Sequence, residues 1–567
     1  MNGLLLIIIS VVVLSAAYLL YGRFLARKWG IDPDRKTPAH EFEDGKEYVP
    51  TSPSVVFGHE FASIAGAGPI NGPIIAAMFG WLPVLLWLIF GSIFFGAVHD
   101  FAALYTSVKN KGKSIGYVIE CYVGKAGKRL FFIFVWLFSI LIAAAFADIV
   151  AGTFVGFNAA GEQNVTNGSV ASASSLFIAA ALCLGLLIRK RKASDLASAI
   201  IAIDLLIICI VLGIFFPVFF SKPIWLYLVF GYIFIASVIP VWALGQPRNY
   251  LSSFLLIAMM LAAFIGVIFT APTINIPAFV GFNVNGSFLF PSLFITIACG
   301  AISGFHSLVT TGAASKQVKN ERHMLPISYG AMLLETMVAV LALIAVGSLA
   351  SNGKMPSGTP LQIFATAVSG FLSQLGLPVH ASFVIVSLAV SSFVLTTLDT
   401  VARLGRLSFQ ELFSINISKK KSIFLRILDS KAAASVLTLL PAYLLAIMGY
   451  QNIWALFGAA NQLLAALTLI ACTLFFKKSG RKIFMLIIPT IIMLAVTFTS
   501  LSLSIRTKII LFQQGKFNMQ IDGIQLGITV LLLILGVLVA ASCARKLLEK
   551  ESPERLQARS DSGIAGS

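Results

Sequence analysis

Apolar runs of about 20 residues, separated by short polar and basic stretches, dominate this chain. A helix that crosses a bilayer needs about 20 mainly apolar residues. Such runs predict spans near 3–22, 62–80, 82–108, 129–154, 173–188, 194–220, 223–244, 250–271, 288–312, 326–350, 381–402, 432–449, 453–476, 483–504 and 523–544, about fifteen in all. The segment 360–374 is too short to cross and is expected as a surface or re-entrant helix. Two of the runs cannot be regular helices. The first reads Ser63-Ile-Ala-Gly-Ala-Gly-Pro-Ile-Asn-Gly-Pro73, and the second contains Gly300-Ala-Ile-Ser-Gly-Phe-His306. In lipid a freed backbone N–H or C=O must find a partner, so a break survives only where it is buried in protein or lines a cavity.

Composition agrees with that pattern. Only 11% of the 567 residues are charged, against about 25% in soluble domains, and the mean hydropathy is +0.93. The chain reads as an all-α polytopic membrane protein. Its net charge of +18 would suggest nucleic acid in a soluble protein. Here loop position explains it, because cytoplasmic loops of membrane proteins carry excess Lys and Arg. With the N-terminus outside and the C-terminus cytoplasmic, the inner loops hold 36 of the 41 Lys and Arg residues. Residues 1–22 lack a basic leader and cleavage site and are read as a retained span. The six cysteines are scattered without metal or disulfide spacing. No metal, cofactor or nucleic acid is expected; membrane lipid is.

The span order carries an internal repeat. The broken span 62–80 opens a series of five, and the broken span 288–312 opens a second five that crosses in the opposite sense. The chain then divides into an N-terminal span and loop (1–61), a first repeat (62–220), an inserted helix pair (221–287), a second repeat (288–476), and two further spans with a disordered tail (477–567). This topology resembles the five-plus-five, LeuT-like core of amino acid–polyamine–organocation (APC-type) transporters. That resemblance implies a substrate site at the two breaks, with coupling ions nearby.

The residues themselves point to the same places. Gly66, Gly68, Pro69, Gly72 and Pro73 are expected to unwind the first break, with Asn71 adding a polar side chain. Freed carbonyls there, Ala65 among them, can coordinate a cation. The N–H groups of the next half-helix favour an anionic group such as a carboxylate. At the second break stand Gly304, His306, Ser307, Thr310 and Thr311. Histidine changes charge near neutral pH, which suits a proton carrier. Ser392, Thr396 and Asp399 share one helix face. The APC-type resemblance gives Ser391 and Ser392 hydroxyls for a sodium site, while Asp399 can pair with Arg403. Asp204 and Glu335 are the deepest acids and candidate proton carriers, because an intramembrane carboxylate is costly and functional by default. Asp148 is expected near the outer end. His99 and Asp100 are candidates for a cytoplasmic gate. Asn461 and Gln462 are expected to join helices. Gly112-Lys-Ser-Ile-Gly116 lacks the strand–turn–helix setting of a nucleophile elbow, no catalytic constellation is present, and the chain is not expected to be an enzyme.

The run Gly58-His-Glu-Phe-Ala-Ser-Ile-Ala-Gly-Ala-Gly-Pro-Ile-Asn-Gly-Pro73 resembles the carbon-starvation protein A family. Tyr21-Gly-Arg23, His99-Asp-Phe101, Ser303-Gly-Phe-His-Ser307, Leu398-Asp-Thr400 and Phe457-Gly-Ala-Ala-Asn-Gln462 support it. Glu60 stands where the family often carries a second His after His59, which departs from the metal-binding His pair proposed for the family and leaves open whether His59 and Glu60 bind a metal. The resemblance implies ion-coupled import of peptides or pyruvate across the bacterial inner membrane, driven by H+ or Na+. A channel or a nutrient sensor is the alternative reading.

Overall fold

A computed structural model describes residues 1–549, apart from 46, 159, 192–194, 241–243, 352, 414–427 and 429. The expected disordered tail lies mostly outside these residues. Ten helices are long and apolar enough to cross a membrane, and the bent pair Pro53–Ile64 and Gly68–Phe79 makes an eleventh if counted as one span. Of the other predicted spans, three are shorter apolar helices, Ala199–Phe215, Lys222–Val238 and Lys431–Ala446. The fourth is broken into Leu289–Thr296, Ala298–Ala301 and Gly304–Gly312.

The bundle has an inner and an outer layer. The most apolar stretch of Tyr450–Lys478 is 100% buried, and those of Glu321–Leu349 and Val379–Leu412 are 83% buried. The corresponding figures are 28% for Gly3–Lys28, 44% for Pro247–Thr270, and 39% for both Phe484–Gln513 and Met519–Leu548. A helix apolar on all sides is at home in either layer, so composition alone does not sort them. The inner layer packs Lys125–Thr153 along Val379–Phe413, and both contact Lys431–Ala446.

The helix Pro360–Gln374 is not a surface element. Leu361, Phe364, Ala365, Val368 and Phe371 are buried, and it packs on Val379–Phe413, Gly245–Thr270 and Ala331–Leu349. Its start is fixed by a capping box, in which Thr359 and Gln362 satisfy each other's backbone N–H groups. A two-residue hairpin, Asn283–Val284 with Ser287–Phe288, precedes the second broken span. Asn285 and Gly286 both have positive φ there, the conformation an Asn-Gly hairpin turn needs.

Candidate functional site: two facing breaks and a buried charged cluster

The first break is narrower than the sequence suggests. The helix Pro53–Ile64 stops at Ala65, and a new helix begins at Gly68 after a 46° bend. Only Ala65, Gly66 and Ala67 leave the helix. Pro69 sits in the first turn, where its missing N–H costs nothing. Asn71, Gly72 and Pro73 are helical. The glycines serve another end. A Cβ on Gly68 would lie 2.4 Å from Cys299 Sγ, and one on Gly72 would lie 2.7 Å from the Thr296 carbonyl. Both therefore let the two broken spans touch, the usual work of small residues between membrane helices. The second span breaks twice, at Ile297 and again at Ile302–Ser303, where the backbone is extended. Gly304 has the same packing role, because a Cβ there would lie 2.4 Å from the Asn461 carbonyl.

Beside these breaks lies a buried charged cluster. His306 begins the half-helix after the second break and is fully buried. Its Nδ1 is 2.8 Å from Asp100 Oδ2, and its Nε2 is 3.1 Å from Glu335 Oε2. Asp100 Oδ1 is 2.7 Å from His99 Nδ1. One turn beyond His306, Thr310 donates to Glu60 Oε1. Ser307 donates to the Gly304 carbonyl at 2.7 Å and meets Thr468 Oγ1 at 3.0 Å. Thr311 Oγ1 donates to the Ser307 carbonyl at 2.6 Å. Asn461 accepts from Phe305 N at 3.0 Å and from Ser303 Oγ at 3.2 Å, so it fixes the extended step. Gln462 donates to the Phe294 carbonyl. Glu60 Oε2, both Glu335 oxygens, His306 Nε2, His99 Nε2 and both polar atoms of Asn71 are buried without a hydrogen-bond partner, so His306 and Glu335 meet as an ion pair and not as a hydrogen bond.

Three carboxylates thus face two imidazoles. Even with both rings protonated, one negative charge is left over. Burying an uncompensated charge is far costlier than neutralising it. The cluster therefore suits at least one shared proton, and its unpartnered atoms are free to bond a further polar group.

This changes the sequence picture in three ways. His99 and Asp100 join the cluster at the second break, with Asp100 in contact with both imidazoles. Asp204 does not join it and is exposed on Asp195–Phe215. Asp148 is buried, paired with Lys222 at 2.7 Å and accepting from Tyr450 N at 2.9 Å.

The serine and threonine face on Val379–Phe413 is already engaged. Ser391 donates to the Ser387 carbonyl, and Thr396 donates to the Ser392 carbonyl at 2.9 Å. Ser392 Oγ lies 2.7 Å from Ser252 Oγ. The hydroxyl next to the first break is Thr397, with no hydrogen-bond partner and only 2.9 Å from where a Cβ on Gly66 would sit.

Asp399 pairs with Arg248, not with Arg403. Arg248 Nη1 lies 2.6 Å from Asp399 Oδ2, and Tyr232 OH donates to the same oxygen at 2.7 Å. Sequence reasoning passed over Arg248 as one more inner-loop cation. The signal was Asp399 itself, because an acid inside an apolar span demands a counter-charge.

A helical membrane protein whose two broken helices meet beside a buried titratable cluster is, in class, a secondary transporter. The chain matches the family described as carbon starvation protein CstA over residues 2–356 and 354–500, and it belongs to that family. Peptide transporter CstA of Bacillus subtilis is 31% identical over 96% of this chain and 97% of its own length. Peptide transporter CstA of Escherichia coli is 31% identical over 88% of this chain and 80% of its own length. Pyruvate/proton symporter BtsT of Escherichia coli is also 31% identical, covering 89% of this chain and 82% of its own length.

Proposed function

We propose that this chain is a proton-coupled symporter of the bacterial inner membrane that imports a small carboxylate-bearing nutrient, a peptide or pyruvate. The observation that carries the reading is His306, held between Asp100 and Glu335 beside the second break. A proton can enter or leave this cluster while the backbone at the breaks rearranges, which couples charge to conformation. Substrate binds between the breaks, near Ala65–Ala67, Asn71 and Ile302–Ser307. The relatives' printed names, peptide transporter and pyruvate/proton symporter, support this substrate class and the proton. Protons are favoured over sodium by the imidazoles and carboxylates that meet around His306 and by the printed name of the pyruvate/proton symporter.

The five-plus-five inverted core, the fifteen-span count and the domain limits belong to the same proposal. The packing of Lys125–Thr153, third helix of the first series, along Val379–Phe413, third of the second, supports them. So does the outer placement of Gly3–Lys28, Phe484–Gln513 and Met519–Leu548. The bias of Lys and Arg supports an outside N-terminus and a cytoplasmic C-terminus. Uptake into proteoliposomes tests the whole reading. An inward proton gradient should drive accumulation of pyruvate or alanylalanine, and a sodium gradient should not. If neither gradient moves either compound, the reading fails.

A further inference from the structure

The mechanism above leaves a second charged cluster unused. Arg248 is fully buried, yet its Nε and Nη2 have no hydrogen-bond partner. Its Nη1 serves Asp399 and the Tyr232 hydroxyl. On Val379–Phe413, Arg403 and Arg406 follow Asp399 at i+4 and i+7 and so share its helix face. Arg403 lies in the field of Asp399 and Tyr232, and Arg406 in that of Arg403. Arg403 Nη2 and Arg406 Nε are also buried without a partner. Among the described residues, Asp399 bonds Arg248 and lies in the field of Arg403, while Arg406 has only Arg403 as a charged neighbour, so the guanidinium groups outnumber the carboxylate. Asp399 Oδ1 is free as well, but it cannot serve all of these donors.

Arginine stays charged in proteins, so this surplus cannot be relieved by losing a proton. A buried unpaired cation is costly. Free N–H groups on planar forks fit the two oxygens of a carboxylate or the oxygens of a phosphate. The cluster also connects to the substrate path. Thr397, beside the first break, lies on the same helix as Arg403, about 9 Å away along its axis.

We propose that Arg248, Arg403 and Arg406 form a second anion site, which takes the substrate's carboxylate after it leaves the break at Ala65–Ala67. This rests on the transport reading above for the identity of the anion. On the orientation proposed there, the site lies toward the cytoplasmic side and acts as a release station.

The test is calorimetric binding to the purified full-length protein in detergent. The probes are pyruvate, alanylalanine and alanylalanine amide, which lacks the carboxylate. The variant Arg403→Ala/Arg406→Ala leaves the Arg248–Asp399 pair in place. The expected result is that the two carboxylates bind this variant about tenfold more weakly, while the weak binding of the amide is unchanged. Equal affinities in parent and variant would overturn the site. So would an equal loss for the amide, which points to a structural role only. Should the alanine pair not fold, Arg403→Lys/Arg406→Lys keeps the charge without the planar fork and should show a smaller loss of the same selectivity. A lipid phosphate is the other source of such an anion. Stabilisation by phosphatidylglycerol that disappears in the variant, with carboxylate affinity unchanged, would overturn the assignment to substrate. These measurements need no transport, so failed uptake by the parent would sink the symport reading without deciding this one.

Discussion

The two buried charged clusters of this protein have opposite surpluses. Around His306, the carboxylates of Glu60, Asp100 and Glu335 outnumber the imidazoles of His99 and His306. Around Asp399, the guanidinium groups of Arg248, Arg403 and Arg406 outnumber the carboxylate. The first contains imidazoles, the side chains whose unperturbed charge changes near neutral pH, and the second is built around guanidinium groups, whose charge does not change. One cluster can therefore carry a proton through a cycle. The other can only hold a fixed positive field and wait for an anion.

The largest effect should come from breaking the first cluster at its centre. Asp100 touches both imidazoles, so Asp100→Asn removes the charge that orients them. Proton-driven uptake in proteoliposomes should fall at least 100-fold. Exchange of labelled substrate without a gradient should suffer less, because the breaks themselves are untouched. Exchange lost to the same degree would make Asp100 a substrate or packing residue and erase the contrast between the clusters.

The second cluster should answer in stability first. Arg248→Ala leaves Asp399 buried without the one cation that bonds it, with Arg403 acting only through its field; losing a bonded partner costs about 3–5 kcal/mol in comparable sites. Replacing both partners, Arg248→Met with Asp399→Leu, should recover most of that loss, because the penalty is an unpaired charge and not a missing attraction. Thermal unfolding of the purified protein in detergent reads both. A double variant as unstable as the single one would show that shape, not charge, holds Tyr232, Arg248 and Asp399 together.

How much of this the sequence revealed follows from what each residue type can signal. Glycine and proline inside an apolar run marked both breaks, because no regular helix tolerates that density. They did not say which residues unwind. Pro69 in a first turn, Gly68 and Gly72 at a close contact, and Gly66 in the break leave the same mark. Glu335 and Asp204 are equally conspicuous acids in apolar runs, yet one is buried and the other exposed. Their helices are apolar all round, so no amphipathic stripe says which side meets protein. Asp399 was assigned Arg403, one turn away, whereas its partner Arg248 is 151 residues distant. Local spacing favours near neighbours, and only tertiary packing brings distant charges together.

A smaller effect tests whether the two breaks must touch. Gly68→Ala would press a methyl group against the Cys299 side chain, an overpacking that costs about 1–3 kcal/mol. Removing that side chain in Gly68→Ala/Cys299→Gly should restore stability and part of the uptake. Gly72→Ala meets the Thr296 carbonyl, which no side-chain change can remove, so it should have no such partner. If Gly68→Ala transports normally by itself, contact between the breaks is not part of the cycle.

The smallest effect is expected at Asp204. It lies midway along Asp195–Phe215, and Ile200, Ile203, Ile207 and Ile208 around it are exposed as well. A proton relay needs donors and acceptors within hydrogen-bond reach of one another, and the contacts that join Asp100, His306 and Glu335 do not include Asp204. Asp204→Asn should therefore leave proton-driven uptake within about twofold of the parent. It should also ease membrane insertion, because a charge at the middle of a spanning helix is disfavoured by about 3 kcal/mol. Uptake and the amount of protein in the membrane must be measured together, so that a gain in one does not mask a loss in the other. A fall beyond twofold per inserted molecule would put the proton's route along the outer face of the bundle, and the cluster around His306 would no longer be the only place where charge changes hands.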